Sequence, residues 1–220
     1  MAKKIYKTVA YDEVDNLSEL EKIEQFIIDA GSDDLPTFGG KFEGGIHCQQ
    51  IPDELAPCIL AILESGKEIK SYLEIGVAAG GTTFLITHFF KPEKIVLIDD
   101  NHHHKAHLRL DILKDVKREE IIGNSREQSV MEKLSGSFDL IIIDGDHLYE
   151  GVKADVTNYL PWLSDDGFLM LHDSALTQWG VPRVVNELKT DDNMNFIGEY
   201  VTAKHPTPCG IALFRKEIIE

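Results

Sequence analysis

Between residues 71 and 189, short apolar runs alternate with longer stretches whose apolar residues recur every three or four positions. The runs SYLEIG (71–76), KIVLID (94–99), EEIIG (119–123), FDLIIID (138–144) and GFLMLHD (167–173) are predicted strands. The stretches GTTFLITHFF (81–90), HHHKAHLRLDILKDV (102–116), REQSVMEKL (126–134), YEGVKADVTNYLPWL (149–163) and VPRVVNELK (181–189) are predicted helices. Two last extended runs, NFIGEYV (195–201) and CGIALFRK (209–216), lie close in sequence and read as an antiparallel pair. Continuously apolar strands are those buried on both faces. Their alternation with helices predicts an α/β, doubly wound, mostly parallel sheet with helices on both sides.

Upstream, Leu17, Leu20, Ile23, Ile27 and Ile28 share one face of a predicted helix over 17–30. A glycine-rich stretch follows, with Gly39, Gly40, Gly44 and Gly45, and is mobile or tightly turned. Pro52 suits the first turn of another helix, which Gly66 closes. The chain therefore divides into an N-terminal segment, 1–50, and a main α/β domain, 51–220.

Parallel sheets of this kind bind ligands beyond the carboxyl ends of their strands. Those ends carry Glu74 and Gly76, then Asp99, then Gly123-Asn124-Ser125, then Asp144, Asp146 and His147, and finally His172-Asp173. Polar residues and glycines thus collect on the one edge where a site belongs.

Composition narrows the partners. The 220 residues hold 22 Lys and Arg against 38 Asp and Glu, a formal charge of −16. With no basic patch to compensate, this surface repels nucleic acid. No apolar run reaches the length of a membrane span, and the N-terminus lacks the apolar region of a secretory signal. Cys48, Cys58 and Cys209 are odd in number and form no CxxC pair, which argues against a disulfide framework and a thiolate zinc site. A reduced cytoplasm and a small-molecule partner are the expectation. Whether the chain forms a homo-oligomer is not readable.

LEIGVAAGGTT (73–83) is a strand, a glycine turn and a helix start. The dinucleotide fingerprint needs a second glycine at position 78, where the backbone approaches a pyrophosphate; Ala78 stands there and weakens the NAD reading. S-adenosylmethionine carries no phosphate, and its carboxylate suits the amides of a turn through Gly76, Ala78, Gly80 and Thr82. Glu74 attracts its ammonium or sulfonium. Asp99 lies 23 residues beyond Gly76, near the ~20 expected of a residue that accepts ribose hydroxyls. Asn124 or Ser125 meets the adenine edge, or else caps the following helix.

The succession YLEIGVAAGGTT, IVLIDD, IIGNSRE, FDLIIIDGDHLYEGVKADV, DDGFLMLHDS resembles class I S-adenosylmethionine-dependent methyltransferases. Within them it resembles the small-molecule O-methyltransferase group, which includes catechol and caffeoyl-CoA O-methyltransferases, and above all the bacterial branch acting on natural products and sugars. The resemblance spans roughly residues 50–216. It implies a seven-stranded sheet with one antiparallel strand, and a segment around 36–50 that folds over the cofactor as a lid, with Ile46 and His47 near it.

The resemblance also implies roles. Asp144 matches a Mg²⁺-binding aspartate, and His147 the position of the base that takes the hydroxyl proton, where the family has Lys. Asp173 matches a second metal ligand, and Ser174 replaces the third, an Asn, with Asp146 or His172 able to complete the sphere. Chemically, a divalent cation lowers the pKa of an acceptor hydroxyl and orients it, and histidine titrates near neutrality and so takes a proton readily. Asp144-Gly145-Asp146 also reads as a turn with capping carboxylates. A non-catalytic module of the same fold and an RNA methyltransferase are the other readings, the latter disfavoured by charge.

Overall fold

The computed structural model describes residues 17–31, 45–204 and 207–218. Helix α1 (Glu19–Ala30) starts at a capping box, in which Ser18 and Glu21 satisfy each other's backbone amides. Helix α2 (Pro52–Glu64) begins with Pro52, whose missing N–H costs nothing there. Then come β1 (Ser71–Ile75), α3 (Gly81–Phe90), β2 (Lys94–Asp99), a one-turn α4 (Arg109–Ile112), β3 (Glu119–Ile122) and a one-turn α5 (Gln128–Met131). The chain continues through β4 (Phe138–Ile143), α6 (Tyr149–Tyr159), β5 (Leu163–His172), α7 (Val181–Leu188), β6 (Met194–Tyr200) and β7 (Ile211–Lys216).

The strands form one seven-stranded sheet in the order β3-β2-β1-β4-β5-β7-β6. Neighbours from β3 to β5 pair in parallel, while β7 runs antiparallel to both β5 and β6. Each face carries its own core. Ile75, Ile141, Ile143, Leu169 and Leu171 pack with Val152 and Val156 of α6 and Val184 and Val185 of α7. Tyr72, Leu140, Ile142, Phe168 and Met170 point the other way, onto Ile23, Ile27, Leu55, Ile59 and Leu85 of α1, α2 and α3. The period-2 alternation along each strand feeds both layers, as a doubly wound sheet requires.

Four predicted elements are corrected. The helix expected over 102–116 is a 3₁₀ turn at Ala106–Leu108 followed by the single turn of α4. Asp99 Oδ1 accepts the Asn101 amide and Asp100 Oδ1 the His102 amide, so side chains take the bonds a helix start would use. The helix expected over 126–134 shrinks to α5, after Asn124 Oδ1 accepts the Arg126 amide. The helix over 149–163 ends at Tyr159 and continues as a 3₁₀ turn, Leu160–Trp162, around Pro161. Strand β5 also starts four residues before the predicted 167, because a register shift and a positive φ of 64° at Asp166 hide the polar stretch 164–167 from a periodicity reading.

Among the described residues, no helix is long and apolar enough to cross a membrane.

Candidate active site

A cleft of about 580 Å³ lies over the carboxyl ends of β1 to β5 and is lined by residues at or just past all five ends. Its first wall is the turn after β1. Gly76 has φ +82°, and a Cβ there would run into the Asp144 carbonyl oxygen, so only glycine lets the ends of β1 and β4 close up. Ala78 also takes a positive φ, 46°. The turn is held by Asp99, whose Oδ2 accepts the Val77 and Ala78 amides at 2.7 and 2.9 Å. Asp99 Oδ1 accepts the Asn101 amide and pairs with Arg109 Nη2 at 2.9 Å. The buried Arg109 also donates to the Ala78 carbonyl from Nε and Nη2, and to Asn101 Oδ1.

Under the turn, Glu74 is buried and accepts hydrogen bonds from the Tyr72 and Thr83 hydroxyls. Burial pushes its carboxyl up to about 8, against the two hydroxyl bonds that favour the anion.

The opposite wall is a corner of charged side chains from the ends of β4 and β5. His147 Nε2 stands 3.1 Å from Asp173 Oδ2 and 3.6 Å from Asp144 Oδ1. His172 Nδ1 stands 3.1 Å from Asp144 Oδ1 and 3.5 Å from Asp173 Oδ1. Gln50 Nε2 donates to the other Asp144 oxygen at 2.9 Å. Burial opposes the negative charge on Asp144, yet the two imidazoles outweigh it and hold the carboxyl below its usual range. The Asp144 carboxylate beside it lifts His147 above its ordinary value against the cost of burial. Burial raises Asp173. The Trp179 ring lies 5.4 Å from the His147 ring, beside Leu176 on the same wall.

Residues 73–174 match a family model described as a methyltransferase domain. The seven-stranded sheet and this match together resemble a methyltransferase domain. Solved structures share the fold. The O-methyltransferase TomG from Streptomyces achromogenes, involved in tomaymycin synthesis and solved with S-adenosylmethionine, is 17% identical; the match covers 74% of this chain and 81% of that one, with a TM-score of 0.59. An O-methyltransferase from Bacillus cereus, in complex with S-adenosylhomocysteine, is 17% identical over 72% and 79% of the two chains, at 0.58. The N-methyltransferase NodS from Bradyrhizobium japonicum is 18% identical over 74% and 94%, at 0.53. Oxygen and nitrogen transfer thus share this fold, so the fold alone does not choose the acceptor atom. No curated protein sequence matches the chain.

Most residues expected to serve the methyltransferase domain line its cleft: His47, Glu74, Gly76, Ala78, Thr82, Asp99, Asn124, Ser125, Asp144, His147 and Asp173. Three do not. Ile46 packs against the core on the α2 side. Gly80 caps α3 in the left-handed region and faces Leu113. Ser174 is buried, its Oγ without a partner and close to Gly210, outside the cleft lining. Two of the lining residues face the protein. Asp99, at the cleft wall, accepts the Val77, Ala78 and Asn101 amides and pairs with Arg109. Ser125 Oγ donates to the buried Asp155 at 2.6 Å instead of facing an adenine. Of the expected lid, residues 36–44 lie outside the described residues; Cys48 packs so closely on Gly81 that no side chain would fit there.

Gln50 and Cys209 line the cleft and Arg109 braces its first wall, although no motif marks them. Cys209 and Gln50 come from segments that precede β7 and α2, and nothing local in the sequence points to them.

Proposed function

We propose that this chain moves a methyl group from S-adenosylmethionine to a hydroxyl oxygen of a small molecule, with His147 as the base. The observation that carries the reading is the position of His147: an imidazole fixed between Asp144 and Asp173, at the edge of the cleft that also contains the Gly76–Thr82 turn. The O-methyltransferases of like fold and their bound cofactors support it.

The N-terminus of α3 suits the methionine carboxylate, and Glu74 beneath the turn faces the cationic end. The acceptor oxygen attacks the methyl carbon in line with the departing sulfur. The S–CH₃ bond breaks, its electron pair stays on sulfur, and the hydroxyl proton passes to His147. Asp144 and Asp173 orient the ring and stabilise the imidazolium that forms. Trp179 and Leu176 give the acceptor an apolar wall beside the base. The charge of −16 favours a small molecule over RNA.

Magnesium takes oxygen ligands almost exclusively. The expected oxygen set of Asp144, Asp173 and Ser174 does not fit: Ser174 lies outside the cleft lining, and an imidazole nitrogen stands against each carboxylate.

Calorimetric titration with S-adenosylmethionine and S-adenosylhomocysteine tests the cofactor; folded protein that binds neither overturns the proposal. Transfer of a labelled methyl group to a panel of hydroxylated acceptors tests the reaction. His147→Ala is expected to lower turnover about 10²- to 10⁴-fold while cofactor affinity persists; unchanged turnover removes the base.

A further inference from the structure

Five ionisable or metal-ligating side chains meet at the cleft floor, and two of them have no part in the chemistry proposed above. A donor atom from each of His172, Asp173 and Cys209 lies within 4.8 Å of the other two, and all three residues are buried. His172 is 6% exposed, and its Nε2 is buried with no hydrogen-bond partner. Its other nitrogen, Nδ1, faces Asp144 at 3.1 Å. A ring that gives its Nδ1–H to a carboxylate keeps the Nε2 lone pair free. This carboxylate–histidine arrangement is the one that orients an imidazole toward a metal.

Backbone bonds hold the neighbouring donors in place. The Ala175 amide donates to the Cys209 carbonyl at 2.8 Å, and the Ser174 amide to the Gly210 carbonyl at 3.2 Å. The Gly210 amide in turn donates to Glu54 of α2 at 2.8 Å. Asp173 sits at φ +61° between them, a conformation that costs a non-glycine residue energy and is kept only where the surroundings enforce it. The three residues also line the cleft, so a fourth coordination position opens to it.

We infer that His172, Asp173 and Cys209 Sγ form a binding site for a zinc-class transition cation at the floor of the cleft. Nitrogen, sulfur and one carboxylate are the donor set of Zn²⁺, Co²⁺ or Fe²⁺, with one position left for a water or an acceptor atom. Magnesium does not compete for such a set. Binding releases protons: the thiol loses one to solvent, and so does Nε2 where the ring was an imidazolium. The site does not depend on methyl transfer, and cofactor binding is measured alongside so that the two can fail separately.

The experiment is an optical titration of chelator-stripped protein with Co²⁺. A thiolate-to-cobalt charge-transfer band in the near ultraviolet, with visible d–d bands of a low-symmetry site, is expected, saturating at one equivalent. Zn²⁺ is expected to bleach the bands and a hundredfold excess of Mg²⁺ to leave them. Cys209→Ala is expected to abolish the charge-transfer band, and His172→Gln to weaken Co²⁺ affinity at least tenfold; where one variant does not fold, the other decides. Folded wild-type protein without the charge-transfer band overturns the site. So does a band unchanged in Cys209→Ala, which assigns it to Cys48 or Cys58, and so does displacement by Mg²⁺. Binding of S-adenosylhomocysteine by protein that gives no band would sink the metal site and leave the methyltransferase reading standing.

Discussion

Gln50 donates a 2.9 Å hydrogen bond to Asp144 Oδ2 across 94 positions of sequence. The amide is buried and occupies one carboxylate oxygen, while both imidazoles gather on the other. The segment that precedes α2 is in this way fastened to the charged corner of the cleft. Gln50→Ala leaves Asp144 with one oxygen unpaired, and a bond to a charged group contributes about 1.5–3 kcal/mol. Turnover is expected to fall about ten- to a hundredfold through a misplaced carboxylate. S-adenosylhomocysteine affinity should change far less. Steady-state kinetics beside calorimetry separates the two, and an equal loss in both would assign Gln50 to cofactor binding.

Gly76 and Gly66 make a controlled pair. Both have positive φ, +82° and +72°, but a Cβ on Gly66 meets nothing within 4 Å, whereas one on Gly76 meets the Asp144 backbone. Gly66→Ala is expected to cost about 1–2 kcal/mol, the backbone penalty alone. Gly76→Ala adds overpacking of about 1–3 kcal/mol and pushes the ends of β1 and β4 apart, so cofactor affinity should drop with it. Chemical denaturation of the two variants checks the difference, and equal costs would refute the close approach.

Arg109 is the buried counter-charge of the cofactor turn. Removing it strands Asp99, which is 8% exposed, without its cation. Losing one partner of a buried ion pair costs about 3–5 kcal/mol, so Arg109→Ala should be among the most destabilising single changes in the domain. The same variant should loosen the Val77 and Ala78 amides and weaken S-adenosylhomocysteine binding. Denaturant midpoints and titrations at a temperature where the variant stays folded measure both.

Asp155 sets a pH dependence. Burial pushes its carboxyl up from 3.8 to about 6, against the Ser125 hydrogen bond, and its Oδ2 has no partner. A carboxyl whose pKa is higher folded than unfolded contributes stability that is complete below the unfolded value and lost as pH rises through the folded one. Asp155→Asn keeps an oxygen for Ser125 and removes the charge. Its Tm should exceed that of the wild type by several degrees near pH 8, and the gap should close toward about pH 4. A gap independent of pH would show that Asp155 stays ionised without cost.

The sheet and its functional edge are legible in the sequence because the strands are continuous apolar runs, each stopped by a glycine or a carboxylate. The residue pattern alone places Asp144, His147 and Asp173 together, since the ends of adjacent parallel strands share an edge. Roles that depend on where a side chain turns are not legible. Asp99 stands where a ribose-binding residue would, but the direction of its lone pairs is settled by Arg109, and only the fold brings that residue home from a helix that is mostly absent. Ser125 is drawn to Asp155 in the same way. The helix over 102–116 fails because Asp99 and Asp100 bond their own backbone, a local competition that apolar spacing does not register. Gln50 and Cys209 reach the corner through long-range packing alone.

The reversed direction of β7 has a practical consequence. Strands β1 to β5 turn their carboxyl ends toward the cleft, but β7 turns its amino end there, with Ile211 beside His172 of β5 and Tyr200 of β6. The connection leaves the sheet at Tyr200 and re-enters it at Ile211, and its Cys209 lines the cleft. Lengthening or recomposing it would redraw the mouth of the cleft while leaving the parallel strand termini where they are. Tailoring which acceptors are admitted, by selection or by engineering, has its least disruptive handle there.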